Sequence, residues 1–362
     1  MGAHRRVKSK IHWLFAFVPL TILAKSFLPG HDVLVFALSV ASMIPLANLL
    51  SEATEQLSRH TGHTVGALIN VTFGNAGELL VGFFALRAGL IQLVKASISG
   101  SILANLLLFL GLSMVAGGVK HKTLKFNSLA ARTRATMLLL AAISLIFPAV
   151  YHYFGGRLPG SREADLSLEF AIVLLIIYCL GLLFTLHTHR ELVSAAKPEP
   201  AEHEGAWSVK TSVLVLASCS ALIGWMSEIL ADSVEPAGKM LGLTELFVGT
   251  IIVAIAGNAA ESVAAIRAAR RDRMDLSVGI SLGSSIQIAL FVAPCLVLVS
   301  HVAGAAPMDL VFTPVEVIAL VLAIVISGQI AADGESNWLE GAQLVAVYLM
   351  LAIMFFLLPA HV

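Results

Sequence analysis

The feature that most constrains this chain is a succession of apolar runs, each about as long as a bilayer is thick. They lie near 11–29, 33–57, 64–87, 94–118, 133–154, 168–186, 209–233, 244–266, 276–300, 311–332 and 341–360. Crossing a hydrocarbon core of about 30 Å takes roughly 20 apolar residues in a helix. Only closed hydrogen-bonding structures survive there, so runs of this length read as helices. Apolar residues make up 58% of the 362 and charged residues only 13%, about half the share usual in a soluble domain. The expected fold class is an all-α membrane protein of eleven transmembrane helices, embedded in a lipid bilayer.

Charge placement orients these spans. Lys plus Arg and Asp plus Glu are equal at 23 each, so the balance points to no nucleic-acid partner. With the N-terminus cytoplasmic, most basic residues fall in cytoplasmic segments, as the positive-inside rule requires. They include Arg5, Arg6, Lys8 and Lys10, then Lys120, Lys122, Lys125, Arg132 and Arg134, and Arg267, Arg270, Arg271 and Arg273. The opposite side receives only Lys25, Arg87, Lys95, Arg157, Arg162 and Lys239. The run after Lys10 is too long for a signal-peptide core and lacks a small-residue cleavage site, so a retained first helix is expected. A multi-pass protein of the plasma (inner) membrane follows. Cys179, Cys219 and Cys295 each sit in a different apolar run and read as small hydrophobes.

An internal repeat then organises the chain. Gly74-Asn75-Ala76-Gly77-Glu78 recurs as Gly257-Asn258-Ala259-Ala260-Glu261, a shift of 183 residues. The same shift pairs Thr61 with Thr244, Gly66 with Gly249, Gly100 with Gly283, Ser101 with Ser284 and Glu52 with Glu235. Five spans separate the copies, an odd number, so the copies enter the membrane in opposite directions. This is the inverted-repeat layout of alternating-access carriers. The expected organisation is a first helix (1–30), an N-terminal five-helix repeat (31–187), a cytoplasmic linker (188–208) and a C-terminal five-helix repeat (209–362). The linker mixes His187, His189 and His203 with Glu191, Glu199, Glu202 and Glu204 and reads as a solvated connection.

A glutamate inside an apolar span is costly and marks function. Glu78 and Glu261 occupy equivalent places in inverted copies, and a pseudo-twofold axis in the membrane plane brings both to the centre. Two carboxylates facing one cavity repel, so protons or a cation must settle between them. A hard cation such as Ca²⁺ takes six to eight oxygens from carboxylates, carbonyls and amides. Gly74 and Gly257 let the helix loosen and free carbonyls. Asn75 and Asn258 offer amide oxygens or hold the loosened turn. Gly100-Ser101 and Gly283-Ser284-Ser285, with Asn105 and Gln287 a turn further on, can complete the shell. Packing accounts for other glycines such as Gly111, Gly117 and Gly118, but not for a glutamate four residues after each motif glycine. Glu52 and Glu55 share one helix face, and Glu228, Asp232 and Glu235 form a stripe on another. They read either as solvated helix ends or as proton and cation vestibules. Glu316, after Pro314, is placed near the interface without a role. No His or Cys accompanies the motifs, so no enzyme and no cofactor is expected. A cation channel is the rival reading, and Mn²⁺, Cd²⁺ or Na⁺ are rival substrates, since oxygen ligands select weakly.

The residues from His63 to Glu78 (HTVGALINVTFGNAGE), followed by Gly100-Ser101-Ile102-Leu103-Ala104-Asn105, closely resemble the first signature of the Ca²⁺/H⁺ antiporter family of cation/proton exchangers. Gly257-Asn258-Ala259-Ala260-Glu261, then Met274-Asp275-Leu276 and Gly283-Ser284-Ser285-Ile286-Gln287-Ile288-Ala289-Leu290, resemble the second. The resemblance spans nearly the whole chain. It implies the calcium–cation antiporter fold of eleven spans, with two inverted repeats after the first helix. It also implies that Glu78 and Glu261 bind Ca²⁺ or the protons that replace it, with Asn75, Asn258, Ser101, Ser285 and Gln287 in support. Sodium-coupled relatives carry a Ser/Thr-x-Pro-Glu style of motif where this chain has Gly-Asn-Ala-x-Glu, which favours proton coupling.

Overall fold

The computed structural model describes residues 12–61, 63–156, 162–189 and 207–359. The basic N-terminal residues and most of the 188–208 linker lie outside them. After a 3₁₀ turn at His12–Ala16 the helices are α1 (Phe17–Phe27), α2 (Asp32–Arg59), α3 (His63–Gly74), α4 (Ala76–Arg87), α5 (Ile91–Gly118), α6 (Ser128–Phe154) and α7 (Glu163–Thr188). The second part comprises α8 (Val209–Leu241), α9 (Glu245–Gly257), α10 (Ala259–Arg270), α11 (Met274–Ala303), α12 (Pro314–Asp333) and α13 (Trp338–Leu357). Among the described residues nine helices are long and apolar enough to cross a membrane, or ten if α9 and α10 form one bent span. Ten of the eleven apolar runs read from the sequence coincide with these, and the first run coincides with the shorter apolar helix Trp13–Phe27.

Burial separates the helices into an inner and an outer set. The most apolar stretch of α5 is 83% buried, against 22% in both α7 and α13. α5 is therefore the axis of the bundle, touching α9, α10, α11, α12 and α13. α2 and α8 pack along each other, and α6 packs on α12. Exposed Ile172, Val173 and Ile176 on α7, and Leu349, Met350 and Ile353 on α13, form apolar outer faces of the kind that meet lipid tails.

Where α5 crosses α9 there is almost no side chain between the backbones. A Cβ on Gly100 would lie 2.3 Å from the Cα and the carbonyl oxygen of Thr250, and one on Gly249 would lie 2.5 Å from the Cβ of Ala96. Small residues that admit such an approach are the usual device for membrane helix association. Both α5 and α11 also widen into a π turn, at Ala104–Phe109 and Ile288–Val292, which the 183-residue shift superimposes to within a residue. Single π turns are rare and concentrate at functional sites.

One end of the bundle is tied by a two-residue antiparallel ladder between β1 (Leu124–Lys125) and β2 (Glu335–Ser336), with Leu124 opposite Ser336. At the other end α12 starts in a capping box. The Thr313 hydroxyl accepts from the Glu316 amide, and the Glu316 carboxylate accepts from the Thr313 amide at 3.0 Å and from the Ser99 hydroxyl at 2.7 Å. Glu316 is only 1% exposed. Glu316, placed near the interface by its position after Pro314, is there a buried cap with its oxygens satisfied. Thr313→Ala is expected to lower stability by about 1 kcal/mol, read as a fall in unfolding temperature in detergent without loss of ion binding.

Candidate functional site

Two helix interruptions place the repeated motifs. Asn75 (φ −102°, ψ 15°) and Asn258 (φ −90°, ψ 10°) leave helical geometry in nearly the same way. Each ends one helix and begins the next. The Asn75 carbonyl accepts from the Leu79 amide at 3.1 Å, and the Asn258 carbonyl from the Ser262 amide at 3.0 Å. Residues 68–87 still run as one span, whereas α9 and α10 meet at 59°. Glu78 and Glu261 therefore both stand in the first turn of a new helix, where unpaired amides and the helix dipole favour negative charge.

The interruptions meet across the bundle. Glu78, Glu261, Gly74, Gly77, Gly257 and Ala260 line one cavity of about 20 Å³, roofed by Ala47, Leu50 and Ser51 of α2. That volume admits one water-sized body, hence a cation that has shed most of its water. A Cβ on Gly257 would stand 3.8 Å from Glu78 Oε1, and one on Gly74, Gly77 or Gly283 would meet nothing within 4 Å. These glycines are not demanded by packing; they keep the walls of the space bare.

A polar network fixes the Glu261 carboxylate from behind. Asn258 Nδ2 donates to Ser101 Oγ at 2.9 Å, and Asn105 Nδ2 donates to Asn258 Oδ1 at 3.0 Å and to Ser284 Oγ at 3.2 Å. Ser284 in turn donates to Glu261 Oε2. Asn75 Nδ2 donates to Gln287 Oε1 at 2.6 Å. Asn75, Asn258, Ser101 and Asn105 are all buried, so truncating one leaves partners unpaired in a dry interior. Asn258→Ala, which releases Ser101 and Asn105 together, is expected to weaken Ca²⁺ binding by about tenfold or more; calorimetric titration of the purified protein checks this.

Of the residues expected to support the site, Asn258 and Ser101 belong to this network, and Asn75 and Gln287 pair with each other. Ser285 does not: its hydroxyl donates to the Ser281 carbonyl one turn back. Ser284 takes that place, and the 183-residue shift that pairs it with Ser101 was the signal for it. The acidic stripes stand apart from the site. Glu55 pairs with Arg59 at 2.7 Å, Glu235 with Lys239 at 2.6 Å and Asp232 with Lys25 at 3.0 Å. Glu228 is exposed and Glu52 half-buried on α2.

Access is one-sided. A vestibule of about 430 Å³ descends to Glu261, Ser284, Gln287 and Gly74 from an end lined by Asn127, Arg134 and Asp275. Arg134, counted from the sequence among the cytoplasmic basic residues, belongs to α6, half-buried in this wall beside Gly279. A second cavity of about 20 Å³ touches Glu78 from the other direction, bounded by Ser97, Ile98, Ser101 and Val253. Beyond it a separate cavity of about 490 Å³, lined by Lys95, His152, Glu245 and Asp309, reaches neither glutamate. Among the described residues no three His, Cys, Asp or Glu side chains gather as a resident metal centre would. The donor set is instead two carboxylates with amides and hydroxyls, suited to hard cations.

The sodium/calcium exchanger protein family profile matches residues 31–187 and 211–357, most of the chain. This chain belongs to that family. It is 38% identical over 361 residues to a Ca²⁺/H⁺ antiporter of Aphanothece halophytica, covering 96% of each chain. It is 41% identical over 347 residues to the Ca²⁺/H⁺ antiporter ChaA of Bacillus subtilis, covering 95% of this chain and 97% of the relative. Among solved structures native YfkE superimposes with a TM-score of 0.83 at 37% identity, covering 96% of this chain and 100% of that one. The H⁺/Ca²⁺ exchanger CAX shares the fold at a TM-score of 0.70 and 16% identity, covering 96% of this chain and 92% of that one. The family consists of transporters, and this chain is a multi-pass membrane transporter and not an enzyme.

Proposed function

We propose that this exchanger carries Ca²⁺ against protons by alternating access, with Glu78 and Glu261 as the groups both ions compete for. The observation that carries this reading is the convergence of the two glutamates on one cavity the size of a dehydrated ion. Relatives called Ca²⁺/H⁺ antiporters, at 38% and 41% identity over nearly the full chain, support the choice of ions. In this reading α1 and the interrupted pairs α3–α4 and α9–α10 each count as one span, which makes eleven. α2 to α7 and α8 to α13 are then two inverted repeats. The near-identical interruptions at Asn75 and Asn258 and the matched π turns support that symmetry. The basic residues near the Asn127–Asp275 end make it cytoplasmic by charge bias, so the vestibule leading to Glu261 faces inward.

Transport then follows from electrostatics. Ca²⁺ enters from the vestibule and settles between two ionised carboxylates. Rearrangement seals the vestibule and opens the far side, where two protons displace the ion. The neutral site returns; an empty site carrying two negative charges is too costly to move through a low-dielectric barrier. The test is ⁴⁵Ca²⁺ uptake into proteoliposomes under an imposed pH gradient. Uptake that collapses with a protonophore is the expected result. Flux indifferent to the pH gradient would establish a channel, and a competition series with Mn²⁺, Cd²⁺ and Na⁺ ranks the cations.

A further inference from the structure

On the closed side of the molecule one basic side chain is buried inside a span. Lys95 of α5 has a side chain only 5% exposed, and its Nζ lies 2.9 Å from Asp309 Oδ1 in the connection between α11 and α12. One turn further along α5, on the same face, the Ser99 hydroxyl donates to Glu316 at 2.7 Å. These two ties fasten α5 to one short segment.

That segment is itself held fast. Asp309 Oδ1 also accepts from the Val311 amide at 2.8 Å, the Leu310 amide donates to Ser167 at 3.0 Å, and the Met308 amide donates to Ser300 at 2.8 Å. Met308, Leu310 and Phe312 are fully buried. Separating the ties therefore means moving α5 relative to a segment anchored on α7 and α11.

The ties sit at the barrier between site and far side. Lys95 lines the far cavity of about 490 Å³, while Ser97 and Ile98 line the small cavity touching Glu78. At about 1.5 Å of rise per residue these walls are less than one helical turn apart. Lys95 is buried while the Asp309 side chain is 33% exposed on the far cavity, so the ammonium is desolvated against a carboxylate that water can reach. Desolvating an ammonium is costly without its partner, and a partner open to water on one side suits a contact that has to separate and re-form.

We propose that the Lys95–Asp309 pair, reinforced by Ser99–Glu316, is the latch that keeps the far side shut, and that α5 must release Asp309 for the ion to leave. The proposal rests on the alternating-access reading above. The test uses full-length protein in detergent with Cys179, Cys219 and Cys295 replaced by Ala. One probe, Ser97→Cys, reports the far side, and another, Ala264→Cys in the vestibule wall, reports the near side. Lys95→Gln is expected to speed thiol labelling at position 97 by about fivefold or more and to slow it at position 264, because one side closes as the other opens. Asp309→Asn is expected to do the same, and Ser99→Ala to shift both rates in the same directions by a smaller factor. If Lys95→Gln and Asp309→Asn fail to fold, the Ser99→Ala result decides alone. Labelling that rises at both positions marks a merely structural pair, and labelling unchanged at both removes the latch; either overturns the proposal. Loss of proton-coupled uptake by the unmodified protein would instead fail the transport reading, independently of the labelling.

Discussion

Glu261→Gln and Glu78→Gln, made separately, are each expected to reduce pH-driven Ca²⁺ uptake by at least about 100-fold. With Ca²⁺ between the carboxylates, removing one of its buried counter-charges costs about 3–5 kcal/mol of binding, and each 1.4 kcal/mol is tenfold in affinity. Gln keeps the shape of the side chain. At position 261 its amide oxygen still accepts from Ser284, so the network through Asn105 and Asn258 stays intact. The variants should therefore fold, with unfolding temperatures close to that of the parent, and the loss can be assigned to the missing charge. The two single variants and the double variant should be similarly inactive, because one neutral member already spoils the pair. Uptake above a tenth of the parent rate in either single variant would show that the ion is held elsewhere.

The second large effect concerns stability. Gly100→Ala would push a methyl group to 2.3 Å from the backbone of Thr250, where no flexible side chain can give way. Overpacking of this kind costs about 3 kcal/mol or more when neither backbone can yield, so a marked fall in unfolding temperature and in yield is expected. Gly74→Ala provides the contrast. Nothing lies within 4 Å of the added carbon, and Ala favours helix by about 1 kcal/mol over Gly, so stability should hold or rise. Ca²⁺ affinity should fall nonetheless, because Gly74 lines both the vestibule and the cavity of about 20 Å³ that holds the two glutamates, and a methyl group there narrows the ion's space. Thermal unfolding and Ca²⁺ titration on the same two samples would separate a packing glycine from a site glycine.

Sequence reasoning located the spans well because a bilayer demands long apolar runs, a signal that needs no tertiary context. The repeated Gly-Asn-Ala-x-Glu was equally legible, since a glutamate set amid apolar residues twice, at a fixed shift, is too costly to keep for packing alone. What escaped was direction and partnership. Ser284 and Ser285 are adjacent and chemically alike, and only the helix phase sends the first to Glu261 and the second back to Ser281. Lys95 looked like one more basic residue outside the membrane because its partner Asp309 is 214 positions away. The role of Glu316 was not legible for the same reason, its second partner Ser99 being 217 positions away. Buried polar residues are understood through what they touch, and long-range contacts carry no local periodicity.

The bare crossing of α5 and α9 has a mechanical meaning. Helices that interlock through large side chains resist sliding, because each knob must climb out of its hole before it reaches the next. At Gly100 the Thr250 backbone fills the hole, and at Gly249 the Ala96 Cβ does, so a lengthwise shift by one residue would press Ser99 or Ser101 against the Thr250 backbone. A crossing made at one such close point opposes sliding and leaves rotation about that point least opposed, the behaviour of a pivot, and the pivot lies within one turn of Ser101 and about two turns of Asn258.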